Sequence, residues 1–344
     1  MTILRSSTPN AVSVDRMKIT VISGGVGGAR FTRGLREHVR RALPGTDVHG
    51  AELTAVVNTG DDMWLTGLRI APDLDSVMYT LAGENDEVRG WGRIGETERV
   101  SAELRAYGVG WPWFTLGDLD LGTHITRSHY LRSGLPLSEA TRLITARWPL
   151  GVELIPATDD EVETHVVTDE GTMHFQEWWT KHRAKLTAQA FVQQNLAAAT
   201  PAPGVLEAIA DADVVLIAPS NPVVSVGTVL GIPGIREALA QTSARVVGVS
   251  PIISGAVVRG MADACLTAIG VETSAFAVAE HYGARHSSDQ RDGGLLDAWL
   301  VDETDAASLT DIEALGIRAA AAPLWMRDAD TSAQLAADAL ALAG

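Results

Sequence analysis

Four aspartates, Asp61, Asp62, Asp73 and Asp75, fall within fifteen residues of the stretch TGDDMWLTGLRIAPDLDS, interleaved with glycines and apolar residues rather than lysines. Carboxylates gathered this way repel one another unless a proton or a cation joins them. Magnesium binds through one or two carboxylates together with substrate phosphates. The stretch therefore predicts a magnesium site that uses at least one of Asp61, Asp62 and Asp75, with Asp61 and Asp75 as the chosen pair. Asp61 and Asp62 are the catalytic candidates, with Asp62 placed to take a proton from an attacking hydroxyl. The plainer alternative has Asp73 capping a helix that starts near Leu74 and Asp61 capping a turn.

A metal-bound phosphate needs a second wall, and VISGGVGGAR (21–30) offers one through Gly24, Gly25, Gly27 and Gly28. It is not a dinucleotide fingerprint. Arg30 stands where close helix–strand packing wants glycine or alanine, and the second strand ends at Asn58 rather than an acid. It also lacks the Lys-Ser/Thr of a Walker loop. What remains is a bare main chain leading into a helix N-terminus, which favours an anion, with Arg30 and Arg33 on the first turns. A strand-to-helix turn with no ligand is the alternative.

Two further loops follow strand-like runs. PSNPVVSVGT (219–228) offers Ser220, Asn221, Pro222, Ser225 and Thr228, without charge, for phosphate oxygens or a base; SPIISG (250–255) adds Ser250 and Pro251. Ser, Asn and Pro also favour turns for their own sake. GWPWFTLGDLDLGTHITRSHYLRSG (110–134) sets Trp111, Trp113 and Phe114 beside Asp118, Asp120, His124 and Arg127. These aromatics would stack on a flat ring or form local core. Trp64 and Asp118 are the candidates for substrate contact. His124 and His129 lack metal-ligand spacing and read as structural, Cys265 reads as packing, and EWWTKHRAK (177–185) is a basic spot in an acidic chain.

The elements that must position these loops alternate. KITVIS, AELTAVV, ADVVLIA and ARVVGVS are short β-branched runs, with helical patterns such as GGARFTRGLREHVRRAL, GVLEAIAD and PGIREALAQT between them. Such alternation predicts an α/β fold, a doubly wound and mostly parallel Rossmann-like sheet whose loops converge at the strand carboxyl ends. SVMYTLAG, TERVSAELRAYG and PLSEATRLITARW read as helices, so a helical insertion subdomain is expected over about 75–150. From 152 to 190 the chain reads as strands, with Asp169-Glu170-Gly171 as a hairpin turn. Residues 1–16 read as a flexible extension before a single domain over 17–344.

Bulk properties set limits. A net charge of −16 over 344 residues argues against nucleic acid and anionic membrane as partners. No apolar run approaches a membrane span. A single cysteine fits a reducing, cytoplasmic setting.

Taken together, ITVISGGVGGARF, VVNTGDDMWLTGLRIAPDLDSVMYTLAG, FTLGDLDLGTHITRSHYLRSG, DDEVETHVVTDEGTMHFQEWW, PAPGVLEAIADADVVLIAPSNPVVSVGTVLGIPGIREAL and VVGVSPIISGAVVRGMADACL resemble the 2-phospho-L-lactate transferase family. The likeness runs from about Met17 to near Asp302. It differs at Gly27, where other members carry a residue such as threonine. It implies a transferase of coenzyme F-420 biosynthesis. A guanosine diphosphate-linked three-carbon acid (a guanylylated 2-phospholactate or, in the actinobacterial branch, phosphoenolpyruvate) would pass its phospho-acid unit to the ribityl hydroxyl of a deazaflavin alcohol, releasing GMP. It also implies magnesium as cofactor and a homodimer. The competing readings are another nucleotide-dependent transferase on the same kind of sheet, and a non-catalytic deazaflavin- or nucleotide-binding protein.

Overall fold

The computed structural model describes residues 17–42, 51–286 and 293–344; the extension expected over 1–16 lies outside them. The chain opens with β1 (Met17–Ser23), α1 (Gly25–Ala42), β2 (Ala51–Val57), a hairpin of β3 (Met63–Leu65) and β4 (Leu68–Ile70), and α2 (Pro72–Ala82). Helices α3 (Arg99–Ala106), α4 (Asp118–Arg132) and α5 (Leu137–Thr145) lead to β5 (Glu153–Pro156). A separate three-stranded sheet follows, of β6 (Glu163–Thr168), β7 (Gly171–His174) and β8 (Ala190–Gln194). Then come α6 (Val205–Ala210), β9 (Val214–Ile217), α7 (Val226–Gly231), α8 (Ile235–Gln241) and β10 (Arg245–Val249). A small hairpin of β11 (Ile252–Ile253) and β12 (Ala256–Val257) precedes α9 (Ala262–Ala268) and α10 (Ala275–Tyr282). The chain closes with β13 (Ala298–Asp302), α11 (Leu309–Ala314), β14 (Arg318–Ala322) and α12 (Ala329–Ala343).

Seven strands form one parallel sheet in the order β14-β13-β10-β9-β1-β2-β5. Both faces are covered. Ile19 and Val21 of β1 join Val214 and Leu216 of β9 in a core under α1, α2 and α12, while Ile22, Val215 and Ile217 pack on the opposite side against α6, α8 and α10. This period-two split is why the strands are apolar throughout, as a doubly covered parallel sheet requires. The doubly wound α/β expectation holds.

Strand order reverses between β1 and β9, since later strands are added on one side of β1 through β2 and on the other through β9. The loops after those two strands must part there, leaving a crevice at the carboxyl ends. They stay tied at its base: Ser220 Oγ accepts from Gly24 N (3.1 Å) and donates to Gly24 O (2.6 Å).

The structure departs from local pattern in three places. TGDDMWLTGLRI contains the β3–β4 hairpin, turned through Thr66 and Gly67 at positive φ; the geometry matches the primed turns that suit two-residue hairpins. Strand reading past His174 fails because Phe175 and Trp178 are both buried, a spacing of three that a turn satisfies, and Glu177–Lys181 forms a π-helical turn instead. The third departure is α4. Its buried residues are Asp120, Leu121, Thr123, His124, Arg127 and Ser128, so it has a polar inner face and no apolar stripe to reveal it.

Candidate active site

A cavity of about 960 Å³ opens at the carboxyl ends of β1, β9 and β10. Its floor includes Gly24, Gly25 and Gly27, with Pro219, Ser220, Asn221 and Ser225 facing them and Ser250 and Pro251 beside them. The glycine loop is bare for a geometric reason. A Cβ on Gly24 would lie 2.7 Å from Ser225 Cβ and 2.8 Å from an Asp73 carboxylate oxygen. On Gly27 it would fall onto the carbonyl oxygen of Pro219. Gly28 and Pro222 do not line the cavity; the space beside Gly28 is taken by the hydroxyls of Ser23 and Ser220.

Most polar side chains of these loops are already engaged. Asn221 Oδ1 accepts from the amides of Val223 (2.9 Å) and Val224 (3.2 Å), and its Nδ2 donates to Cys265 Sγ (3.3 Å). Ser250 Oγ accepts from Ile252 N and donates to Ile252 O. With Ser220 committed to Gly24, these groups hold the loops in shape and leave main chain as the surface offered to a ligand. Burial pushes the Cys265 thiol up to about 12, which suits packing.

The acids separate into distinct settings. Asp61 and Asp73 line the cavity as a buried pair. Burial, then the charges of Asp73 and Asp62, push Asp61 well above the usual carboxylate range; its Oδ1 has no hydrogen-bond partner. Burial raises Asp73 to about 6, against the pull of Asn58, whose Nδ2 donates to Asp73 Oδ2 at 2.9 Å. Asp73 therefore does not cap α2, whose N-cap is Ala71. Two desolvated carboxylates lining this cavity, one with an oxygen that has no partner among the described residues, are a donor set that fits a divalent cation. Beside them, and against the expectation that His124 lacks metal-ligand spacing, ligand atoms of Asp75, Asp120 and His124 lie within 4.8 Å of one another, a second set that could hold one.

Asp75 lines the cavity but turns to Arg127, which grips it through both guanidinium nitrogens, the second at 3.1 Å. It belongs to a buried chain on α2 and α4. His124 Nδ1 lies 3.5 Å from Asp75 and its Nε2 lies 3.2 Å from Asp120, which accepts from Tyr79 Oη at 2.8 Å. Burial works to raise Asp120, but His124 beside it prevails and holds the carboxyl below its ordinary value. The Asp120/His124 spacing of four on one helix was the available signal for this cluster.

Asp62 does not line the cavity. Fully buried, it has no hydrogen-bond partner for either oxygen among the described residues, with Arg69 Nη2 3.7 Å away; burial raises it to about 7 against the pull of Arg69 and Arg127. Trp64 and Asp118 also lie elsewhere. Trp64 is exposed and donates to Glu161 (2.7 Å), whereas Asp118 accepts from Thr97 N (2.8 Å) and Thr97 Oγ1 (2.9 Å). Of the aromatic trio, Trp113 and Phe114 face the cavity, and Trp111 stacks behind Trp113 at 4.7 Å. Trp179, placed by the π-helical turn, and Trp325 add aromatic wall that local pattern gave no reason to include; π turns recur at functional sites.

His174 sits beneath this wall, facing His165 and Arg69, and is pushed down to about 4 by burial, then by those two groups, with Glu177 opposing. Its folded value lies below the unfolded one near 6.5. The stability it contributes is thus present above pH 6.5 and lost as pH falls toward 4. His174→Gln is expected to remove about 2–3 kcal/mol of the stability lost by the parent chain between pH 7.5 and 4.5. Urea titrations at the two pH values check this; parallel losses in both chains would refute it.

The family model described as 2-phospho-L-lactate transferase CofD matches residues 19–332. The chain belongs to the CofD family. As a member of that family it is a transferase. It is 53% identical over 331 residues to a Streptomyces griseus subsp. griseus protein named phosphoenolpyruvate transferase, covering 95% of this chain and 98% of that one. A Thermobifida fusca protein of the same name is 54% identical over 332 residues, with the same coverage. Two crystal structures of one Bacillus halodurans protein, described as a member of the UPF0052 family, share the fold at TM-scores of 0.60 and 0.59. They are 18% and 19% identical, covering 95% and 94% of this chain and 100% of those chains. Among the described residues no helix is long and apolar enough to cross a membrane.

Proposed function

We propose that the chain moves a phospho-three-carbon-acid unit from a guanosine diphosphate-linked donor to the ribityl hydroxyl of 7,8-didemethyl-8-hydroxy-5-deazariboflavin, releasing GMP, in coenzyme F-420 biosynthesis. The name carried by the relatives at 53% and 54% identity favours phosphoenolpyruvate as the acid. One observation carries the reading: a bare glycine loop and the Asp61–Asp73 pair share one cavity at the switch point of the sheet, beside an aromatic wall.

Phosphoryl transfer asks chiefly for positioning and neutralised charge. The glycine loop and the main chain after β9 hold the diphosphate, and Trp113, Phe114 and Trp179 offer faces for the deazaflavin ring. Asp61 with Asp73 would hold magnesium, which supplies positive charge to the diphosphate. Asp75 is held by Arg127 here and would join them by exchanging that partner for the cation. The hydroxyl oxygen forms a bond to the phosphorus bearing the acid. The bond from that phosphorus to the bridging oxygen breaks, and GMP leaves with the electron pair, its freed phosphate oxygen taking up the proton that the hydroxyl gives up. Asp62 lies beneath the Asp61 turn and outside the cavity lining, so it would reach the hydroxyl's proton only if that turn moved.

Incubation with the deazaflavin alcohol and guanylylated phosphoenolpyruvate or 2-phospholactate is expected to yield GMP and coupled product in equal amounts by chromatography and mass spectrometry. EDTA should stop release and added magnesium restore it. Ligand binding without GMP would instead identify a non-catalytic binding protein. A preference for a nucleotide sugar would identify a different transferase.

A further inference from the structure

Three arginines from separate elements converge on the same cavity: Arg30 on α1, Arg259 after β12 and Arg327 before α12. In a chain of net charge −16, none of the three has an acid within 4 Å among the described residues. Glu87, which also lines the cavity, is taken by Arg33 at 2.7 Å. Arg30 and Arg259 lie close enough that, after burial, the charge of Arg30 is what lowers the proton affinity of Arg259. Among the described residues, Arg30 and Arg259 are steadied by main chain: Arg30 Nη1 donates to Met326 O (3.4 Å) and Arg259 Nη2 to Gly90 O (3.2 Å). Each guanidinium therefore keeps most of its five donors free. Glu87 feels the charge of Arg30 as well as that of Arg33 but forms its ion pair with Arg33; an anion bound between Arg30 and Arg259 would relieve their mutual repulsion.

The identity of that anion follows from position. Arg30 stands on α1 just after the glycine loop and lines the same cavity as Gly24, Gly25 and Gly27. With the diphosphate assigned to the loop and to the main chain after β9, the carboxylate is the remaining anionic group of the proposed donor. We propose that Arg30 and Arg259, assisted by Arg327, bind the carboxylate of the three-carbon acid and so select a carboxylated donor. The planar fork of arginine matches a carboxylate through two parallel hydrogen bonds. This subsite rests on the function proposed above and deepens it.

Arg259 is exposed, so its replacement leaves the core untouched. Arg259→Gln and Arg30→Gln are each expected to raise KM for guanylylated phosphoenolpyruvate about 10- to 100-fold, with a smaller change in kcat. Arg259→Lys should recover part of the loss. The inhibition constant of GDP, which carries the diphosphate but no carboxylate, should stay within about twofold of the parent value. An equal rise for GDP would assign the arginines to the phosphates and overturn the inference, as would an unchanged KM. Both outcomes leave the transferase reading standing. Calorimetric titration of pyruvate, a three-carbon carboxylate without a phosphate, into the GMP-loaded chain tests the subsite without turnover. Tighter binding to the parent than to Arg259→Gln supports it, and equal binding refutes it, even if the parent releases no GMP.

Discussion

Replacing Asp61 with asparagine is expected to lower turnover by about 10³-fold or more, because a bound metal contributes several kcal/mol of charge stabilisation and each 1.36 kcal/mol is tenfold. The fold should survive. Asp61 is buried, its Oδ1 is unpartnered, and the charge of Asp73 opposes its ionisation. Removing one of two repelling carboxylates relieves the metal-free protein, so its thermal midpoint should rise rather than fall. Magnesium should reverse the ranking. At a hundred times its dissociation constant a ligand that binds only the native state adds about 2.7 kcal/mol; the parent gains this and Asp61→Asn does not. Thermal scans with and without magnesium, beside GMP release, make the measurement. Undiminished release by Asp61→Asn, or an equal magnesium shift in both proteins, would remove Asp61 from the site.

Gly27→Ala should be the most damaging change available in the glycine loop. The added methyl meets the carbonyl oxygen of Pro219, a main-chain atom that cannot swing aside as a flexible side chain would. Relief requires the β1–α1 and post-β9 loops to part, although Ser220 ties them at Gly24. Overpacking of this kind costs about 1–3 kcal/mol. Because the same two loops form the floor of the cavity, GDP affinity should fall at least about 100-fold. Gly122→Ala is the control, since its Cβ would meet nothing within 4 Å on α4. There alanine should stabilise the helix by about 0.5–1 kcal/mol and leave GDP binding alone. Unchanged GDP affinity in Gly27→Ala would refute a phosphate-holding loop.

These expectations show where local pattern stops informing. Asp61, the glycines and the loops after β9 and β10 stand out as residues because short apolar strands deliver them to one edge. Helix α4 does not stand out, since its inward face carries Asp120, His124 and Arg127 in place of leucines. A functional wall erases the periodicity that would mark it as a helix. The π-helical turn at Glu177–Lys181 escapes for the related reason that its aromatics suit a strand equally well.

The chain's residues alone determined the doubly wound sheet, because β-branched runs alternating with amphipathic helices have few other ways to bury both faces. They also determined that glycines and acids meet at its carboxyl edge. They paired Asp61 with Asp75 as magnesium ligands, whereas the structure sets Asp73 beside Asp61. Asp73 and Asp75 are two residues apart, and near the start of one helix that separation turns their side chains in different directions. Tertiary structure then sends one to Asp61 and Asn58 and the other to Arg127. Spacing along a chain sets which groups are near one another; the helices packed around them decide which carboxylate keeps its charge free for a ligand and which surrenders it to an arginine.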